Sequence, residues 1–346
     1  MQVGWAAVNS QNHAALWSGT AGSWIDLGAL GAGESSATAV DGGLQGGWMV
    51  VGGPAHAGLW TGTAASWVDL NPPAAAYSKI QALAGGQQAG FASIVGVYHA
   101  ALWKGTAASW IDLHPSTATS SEIYGLGDGQ QVGVVWLGSD PHAALWTGSA
   151  ASWVDLNPIG SAASFALATY GGVQVGFAYP TSYEHASLWI GTAASWLDLS
   201  SYLPPAFSGT TSAAAGIWSD GSFTYVVGQA GNSVTGQTEA ILWKGPAVIG
   251  TCCNGAVCTS NTTASGCSGA HQLFVSMSNA CNLPGNFTTP CCKADFNKTG
   301  GVTVQDIFDF LGAWFAHDPS ADVSGDGQVS VQDIFDFLAA WFEKCS

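Results

Sequence analysis

One short motif, His-Ala-Ala-Leu-Trp or a near copy of it, constrains this chain more than any other feature. It begins at His13, His56, His99, His142 and His185, four consecutive intervals of 43 residues. Each copy runs through a Gly-Thr-Ala-Ala-type turn into Ser-Trp-x-Asp-Leu. A weaker sixth copy, Glu239-Ala-Ile-Leu-Trp243, follows 54 residues after His185. A fixed period in the forties points to a propeller or a solenoid.

The second copy reads as four short strands near Thr38–Asp41, Leu44–Gly52, His56–Thr61 and Ser66–Asn71, separated by Gly-, Pro- and Ala-rich turns. Nothing within a copy has helical apolar spacing. A turn centred on Thr63 and Ala64 sets Trp60 opposite Trp67. Strand alternation then puts His56, Gly58, Trp60, Trp67 and Asp69 on one face, and Leu59, Val68 and Leu70 on the other. Both faces carry large apolar groups, as a blade held between two neighbours requires.

The recurring His and Asp pair up as His13 with Asp26, His56 with Asp69, His99 with Asp112, His142 with Asp155 and His185 with Asp198. A pair present in every copy reads as structural, since burying either group alone is costly. The sixth copy has Glu239 in place of His and lacks the Trp-x-Asp, so both partners vanish together. Among the other carboxylates, Glu34, Glu122, Asp140 and Glu184 read as loop residues. They share no position in the repeat, so no acid pair of glycosidase spacing emerges. No nucleophile elbow, zinc-protease helix or phosphate-binding loop is present.

Composition narrows the partners. Only 8% of the 346 residues are charged, there is no Arg, and the net charge is −16. Nucleic acid and anionic membrane surfaces are therefore excluded as partners, because both need clustered cations. The eight cysteines, Cys252, Cys253, Cys258, Cys267, Cys281, Cys291, Cys292 and Cys345, all lie in the last third. Their even number predicts disulfides and an oxidising compartment. Zinc is the weaker reading, with no CxxC pair and only His271 nearby. Cys345 is expected to close back onto Cys291 or Cys292. No signal peptide precedes Gln2, and Met1-Gln-Val-Gly-Trp5 matches Leu44-Gln-Gly-Gly-Trp48 in mid-copy. The expectation is that an export signal and the first strand of copy one are missing from this sequence.

The repeat, with His-Ala-x-Leu-Trp leading into Trp-Thr-Gly-Thr-Ala-Ala-Ser-Trp-Val-Asp-Leu, resembles the extracellular HAF-type repeats of secreted bacterial proteins over residues 1–243. Ala, Gly or Ser stands here where those repeats have Phe. The resemblance implies a propeller and no defined activity.

Residues 293–346 hold two twelve-residue loops, Asp295 to Asp306 and Asp322 to Asp333, 27 residues apart. Each carries oxygen ligands at positions 1, 3, 5, 9 and 12 and Gly at position 6, as a calcium loop needs. Each leads into Asp-Ile-Phe-Asp-Phe-Leu-x-Ala-Trp-Phe, whose Ile, Phe, Leu and Trp recur at helical spacing.

This duplicated loop-helix resembles a type I dockerin. The resemblance implies one Ca²⁺ on Asp295, Asn297, Thr299 and Asp306, and another on Asp322, Ser324, Asp326 and Asp333. It adds the carbonyls of Gly301 and Gln328, with Thr303 and Ser330 acting through water. Thr299 departs from the usual acidic residue, and Asp at position 12 is usual for dockerins. Val304-Gln305 and Val331-Gln332 would face a cohesin-like or cell-surface partner.

The expected architecture is therefore mainly β: a propeller of about six blades over 1–249, a disulfide-rich connector over 250–292 and a helical dockerin-like domain over 293–346. A solenoid is the runner-up for the repeats. The expected function is binding or scaffolding outside the cell, with a polysaccharide or protein ligand at the propeller and no membrane insertion. The competing class is a carbohydrate-active enzyme, a glycoside hydrolase or polysaccharide lyase.

Overall fold

A computed structural model describes residues 1–28, 33–247, 304–318 and 329–343, the backbone of three strands between 249 and 276, and single positions at 294, 296, 321 and 323. The chain is mainly β. The first sheet has three strands, β1 (Gln2–Val8), β2 (Gln11–Trp17) and β3 (Ile25–Asp26). The second has β4 (Ser35–Asp41), β5 (Leu44–Val50), β6 (Ala55–Trp60) and β7 (Val68–Asp69). The third follows as β8 (Ala75–Ala84), β9 (Gln87–Ile94), β10 (Val97–Trp103) and β11 (Ile111–Asp112). The fourth is β12 (Ser120–Gly127), β13 (Gln130–Leu137), β14 (Asp140–Trp146) and β15 (Val154–Asp155). The fifth is β16 (Ser164–Tyr170), β17 (Val173–Ala178), β18 (His185–Trp189) and β19 (Leu197–Asp198). The sixth is β20 (Ser212–Ser219), β21 (Phe223–Gly231) and β22 (Thr238–Pro246). Every pairing described within these sheets is antiparallel, and strands meet in chain order, as in propeller-like folds.

Successive sheets share apolar cores. Trp60 of the second sheet packs with Leu16 and Leu27 of the first, while Leu59 and Leu70 pack with Ile80 and Trp103 of the third. Trp146 and Trp189 repeat this placement one and two sheets on. Trp60, Trp103, Trp146 and Trp189 are fully buried. Each indole removes roughly 200 Å² from water, on the order of 5 kcal/mol of gross burial free energy.

The fourth strand is shorter than the sequence suggests. Residues 64–66 wind into a 3₁₀ turn instead, because the Ser66 hydroxyl accepts the Thr61 N–H at 2.8 Å and donates to the Thr63 carbonyl at 2.6 Å. Val68 and Asp69 alone then join the ladder, pairing with Leu59 and Gly58. The tryptophans flanking this turn meet as expected, Trp60 and Trp67 having ring centroids 4.5 Å apart.

Hydrogen bonds outside the motif recur with the same period. The Gly two residues before each 3₁₀ turn has positive φ, from 73° at Gly191 to 96° at Gly148, which favours glycine. Its N–H is taken by a glutamine of the second strand: Gly62 by Gln45, Gly105 by Gln88, Gly148 by Gln131 and Gly191 by Gln174. Sheets are tied to one another by a buried serine on the first strand. Ser35, Ser78, Ser121, Ser164 and Ser212 accept the N–H of Ala14, Ala57, Ala100, Ala143 and Ala186 on the preceding sheet at 2.9 to 3.0 Å.

The chain divides into two compact units, Met1–Ile217 with Val226–Trp243, and Trp218–Tyr225 with Lys244–Ser346. The second unit contains a further three-stranded sheet of β23 (Ile249–Asn254), β24 (Val257–Thr263) and β25 (Gln272–Ser276), in the order β24-β23-β25. The eight cysteine side chains lie outside the described residues.

The same unit holds helices α1 (Val304–Phe315) and α2 (Val331–Glu343). Phe310 and Phe337, 27 positions apart, stack face to face with centroids 4.2 Å apart and planes 7° apart, and Phe296 meets both edge-on. Ile307, Leu311 and Trp314 join this core beside their counterparts Ile334, Leu338 and Trp341. Among the described residues, no helix is long and apolar enough to cross a membrane.

Candidate functional site

The His and Asp of each copy meet. His13, His56, His99, His142 and His185 hold Nδ1 2.7 to 3.0 Å from Asp26, Asp69, Asp112, Asp155 and Asp198. The other carboxylate oxygen accepts the backbone N–H two residues on, at Gly28, Asn71, His114, Asn157 and Ser200. Each pair thereby clasps the start of the link to the next sheet. The expectation of deep burial needs correcting: the Asp side chains are 26 to 42% exposed, because β7 and its counterparts are outer strands only two residues long. In the third sheet His114 stacks on His99 with centroids 4.0 Å apart and takes the Ser121 hydroxyl at 2.8 Å. Burial, then the neighbouring His99, holds His114 below the ordinary histidine range. Ser121 is fully buried, and Ser78 and Ser164 donate to Asn71 and Asn157 in the same way, so the arrangement is a junction device and not a nucleophile.

Departures from the repeat mark a different place. The first strands carry one equivalent position at Ser36, Lys79, Glu122, Phe165 and Ala213. Each of these carbonyls presses on a second-strand glycine, at Gly47, Gly90, Gly133, Gly176 and Gly228, where a Cβ would lie 1.9 to 2.0 Å from the oxygen. In the second to fifth sheets a β-bulge follows this position and shifts the register by one. The side chains along this row differ completely from sheet to sheet, whereas the backbone does not.

Around the row are gathered rings and carboxylates. Lys79 places its ammonium 4.3 Å from the centroid of Trp48. The Gln81 amide lies 3.4 Å from the Glu122 carboxylate. Burial pushes the Glu122 carboxyl above the usual range, with Gln81 and the Lys79 charge pulling the other way. Tyr77, Phe91 and Tyr98 cluster nearby in the third sheet. Further on, Trp136 meets Phe165 edge-on, Phe165 stacks on Phe177 at 5.0 Å, and Tyr179 meets Phe177 edge-on. The Tyr179 hydroxyl donates to Glu184 at 2.7 Å, and its pKa is pushed up to about 12 by burial and then by that bond. A cavity of about 430 Å³ opens here, lined by Phe177, Glu184, Ala213 and Gln229 among others. The sequence reading placed Glu122 and Asp140 in loops. Both lie in strands, because β12 begins at Ser120, opposite Trp136, and β14 begins at Asp140, opposite Leu137.

Of the calcium-ligand candidates, Asp295, Asn297, Thr299, Gly301, Thr303, Asp322, Ser324, Asp326 and Gln328 lie outside the described residues. Asp306 and Asp333 are described, and both are fully buried in the first turns of α1 and α2. Asp333 accepts the Ser330 N–H at 2.7 Å, the reach-back half of a capping box. Val304 and Val331 are well exposed, and beside them Gln305 and Gln332 donate to Asp309 and Asp336 one turn on.

No protein-family model matches the chain, and no curated protein matches it. Among solved structures the chain is similar to puromycin hydrolase, with a TM-score of 0.45, and to a mutant of that enzyme complexed with PGG, with a TM-score of 0.42. In both the identity is 10%, and the match covers 66% of this chain and 41% of the hydrolase.

Proposed function

We propose that this is a secreted, two-part binding protein. Its six sheets are the blades of a propeller that holds a ligand, and residues 293–346 are a Ca²⁺-dependent, dockerin-like module that attaches it to a cohesin-like or cell-surface partner. The attachment half is supported chiefly by the internal symmetry of the helix pair. Two fully buried carboxylates, Asp306 and Asp333, occupy matched first turns 27 positions apart, and Phe310 stacks on its own counterpart Phe337. Asp306 and Asp333 stand at position 12 of the two twelve-residue loops, where a calcium loop takes its last carboxylate ligand, and all-oxygen donors suit Ca²⁺. Oxidation of all eight cysteines into four bridges belongs to the same extracellular reading.

By sequence, site two has three carboxylate ligands, Asp322, Asp326 and Asp333, and site one has two, Asp295 and Asp306. Site two therefore fills first. Calorimetric titration of the full chain with Ca²⁺ tests this. Asp326→Ala is expected to remove the tighter phase and Thr299→Ala to leave it. The reverse outcome, or no binding, contradicts the assignment. The repeated Val-Gln dipeptides offer a partner two similar faces related by a half-turn. Replacing Val304-Gln305 alone should therefore leave partner binding largely intact, and its abolition would refute the second orientation.

The second reading, a carbohydrate-active enzyme on a propeller scaffold, draws on Glu122. A half-buried carboxyl held above the ordinary range is what a general acid requires. Incubation with a polysaccharide panel discriminates: sustained release of reducing ends or unsaturated products favours the enzyme, and saturable binding without turnover favours the binding protein.

A further inference from the structure

The row of first-strand positions shows what the fold does with a cation. Lys79 rises from this position in the third sheet and lays its ammonium over Trp48 of the preceding sheet, within reach of the Glu122 charge. The chain repeats the device elsewhere, where Lys244 lies 3.8 Å over the ring of Phe223. Three junctions after Trp48 and Lys79, Phe177 stands where Trp48 stands, and Ala213 stands where Lys79 stands. The equivalence is fixed by the glycines: the Lys79 carbonyl abuts Gly90 as the Ala213 carbonyl abuts Gly228. A methyl group has replaced a butylammonium, and the space it leaves is the cavity of about 430 Å³, within the usual range for ligand sites. The carboxylate needed to balance a cation is still present. Glu184 lines the cavity and is oriented by the Tyr179 hydroxyl.

We propose that the cavity between the fifth and sixth sheets binds the ammonium end of a lysine side chain from a partner peptide, in the position a lysine of this chain takes at an earlier junction. The inference rests on reading the sheets as a ligand-binding unit. An ammonium group is attracted to the negative face of an aromatic ring, most strongly when partly desolvated. The carboxylate adds charge complementarity, and a chain of net charge −16 draws cations towards it. A neutral ligand would use the Phe177 ring and leave Glu184 without a charge to balance.

The test is binding of acetyl-Ala-Lys-Ala-amide to the full chain by calorimetry, with the norleucine peptide as an uncharged isostere. The lysine peptide should bind at least about tenfold more tightly than the norleucine peptide, and Glu184→Gln and Phe177→Leu should each weaken it by about tenfold. The most discriminating variant is Ala213→Lys. It restores the arrangement of Lys79 over Trp48, so the protein should fold with unchanged thermal stability and bind no lysine peptide. Undiminished binding by Ala213→Lys, equal binding of the norleucine peptide, or no saturable binding of the lysine peptide each overturns the proposal. A glucosamine oligomer that binds with the same dependence on Glu184, where the lysine peptide does not, overturns the peptide source. A ligand from a broader panel that binds regardless of Ala213→Lys, where the lysine peptide does not bind, removes this site and leaves the ligand-binding reading intact. Failure of every ligand removes both.

Discussion

The sheets and the helix pair are both built by repetition, but the copies meet in opposite ways. In the sheets each copy meets different neighbours on its two faces: Trp60 looks back to the first sheet, while Leu59 and Leu70 look forward to the third. In the helix pair Phe310 meets its own counterpart, Phe337. A change in one helix therefore leaves its counterpart facing an altered partner, and the two copies stay nearly identical from Asp306 to Trp314 and from Asp333 to Trp341. A change in one sheet alters a junction that no other pair of sheets shares. Lys79, Glu122, Phe165 and Ala213 can thus stand at one backbone position and give four different surroundings. Serial stacking lets function arise at a single junction, and two-fold facing keeps a site duplicated.

This contrast can be broken most forcefully at the helix pair. Phe310→Ala removes half of the stacked pair and should cost about 3–5 kcal/mol. Loss of helical signal at lowered temperature, with the β signal of the sheets intact, is the expected circular-dichroism result. Next comes the bulge. Gly133→Ala places a Cβ 1.9 Å from the Glu122 carbonyl oxygen, where the backbone must move, while at Gly4 the nearest atom is 3.6 Å away. The first should cost on the order of 3 kcal/mol in denaturant unfolding and the second far less. Ser78→Ala leaves the buried Ala57 N–H without its acceptor and should cost about 1–3 kcal/mol. The smallest effect sharpens the comparison among copies. Trp196 donates its indole N–H to Ser187 at 2.9 Å, whereas the buried Trp153 N–H has no partner and Ala144 occupies the corresponding position. Ala144→Ser should raise stability by up to about 1 kcal/mol. No gain would mean that the Trp153 ring does not reach that position.

The period, the Trp60–Trp67 hairpin and the apolar faces of the two helices were legible in the sequence, because each depends on local spacing. The clamping glutamines and bridging serines were equally periodic, at Gln45, Gln88 and Gln131 and at Ser35, Ser78 and Ser121. They were missed because they stand outside the motif and act on a neighbouring strand or sheet. The row from Ser36 to Ala213 was not legible, since in the second to fifth sheets a bulge after the position shifts the alternation by one. The cavity depends on that row and on Glu184, whose partners come from three-dimensional packing. The short fourth strand was misjudged because a serine side chain competes locally with the ladder.

As proposed, a ligand-holding array of sheets and a Ca²⁺-dependent attachment module form separate parts of one chain, a division with a thermal signature. Differential scanning calorimetry of the full chain, with and without Ca²⁺, tests it most directly. Binding to the folded state alone raises the stability of the part that binds. Two transitions are expected, of which only the one that carries the helical signal moves to higher temperature with Ca²⁺. A Ca²⁺-independent thermogram, or a single transition that shifts as a whole, would contradict it.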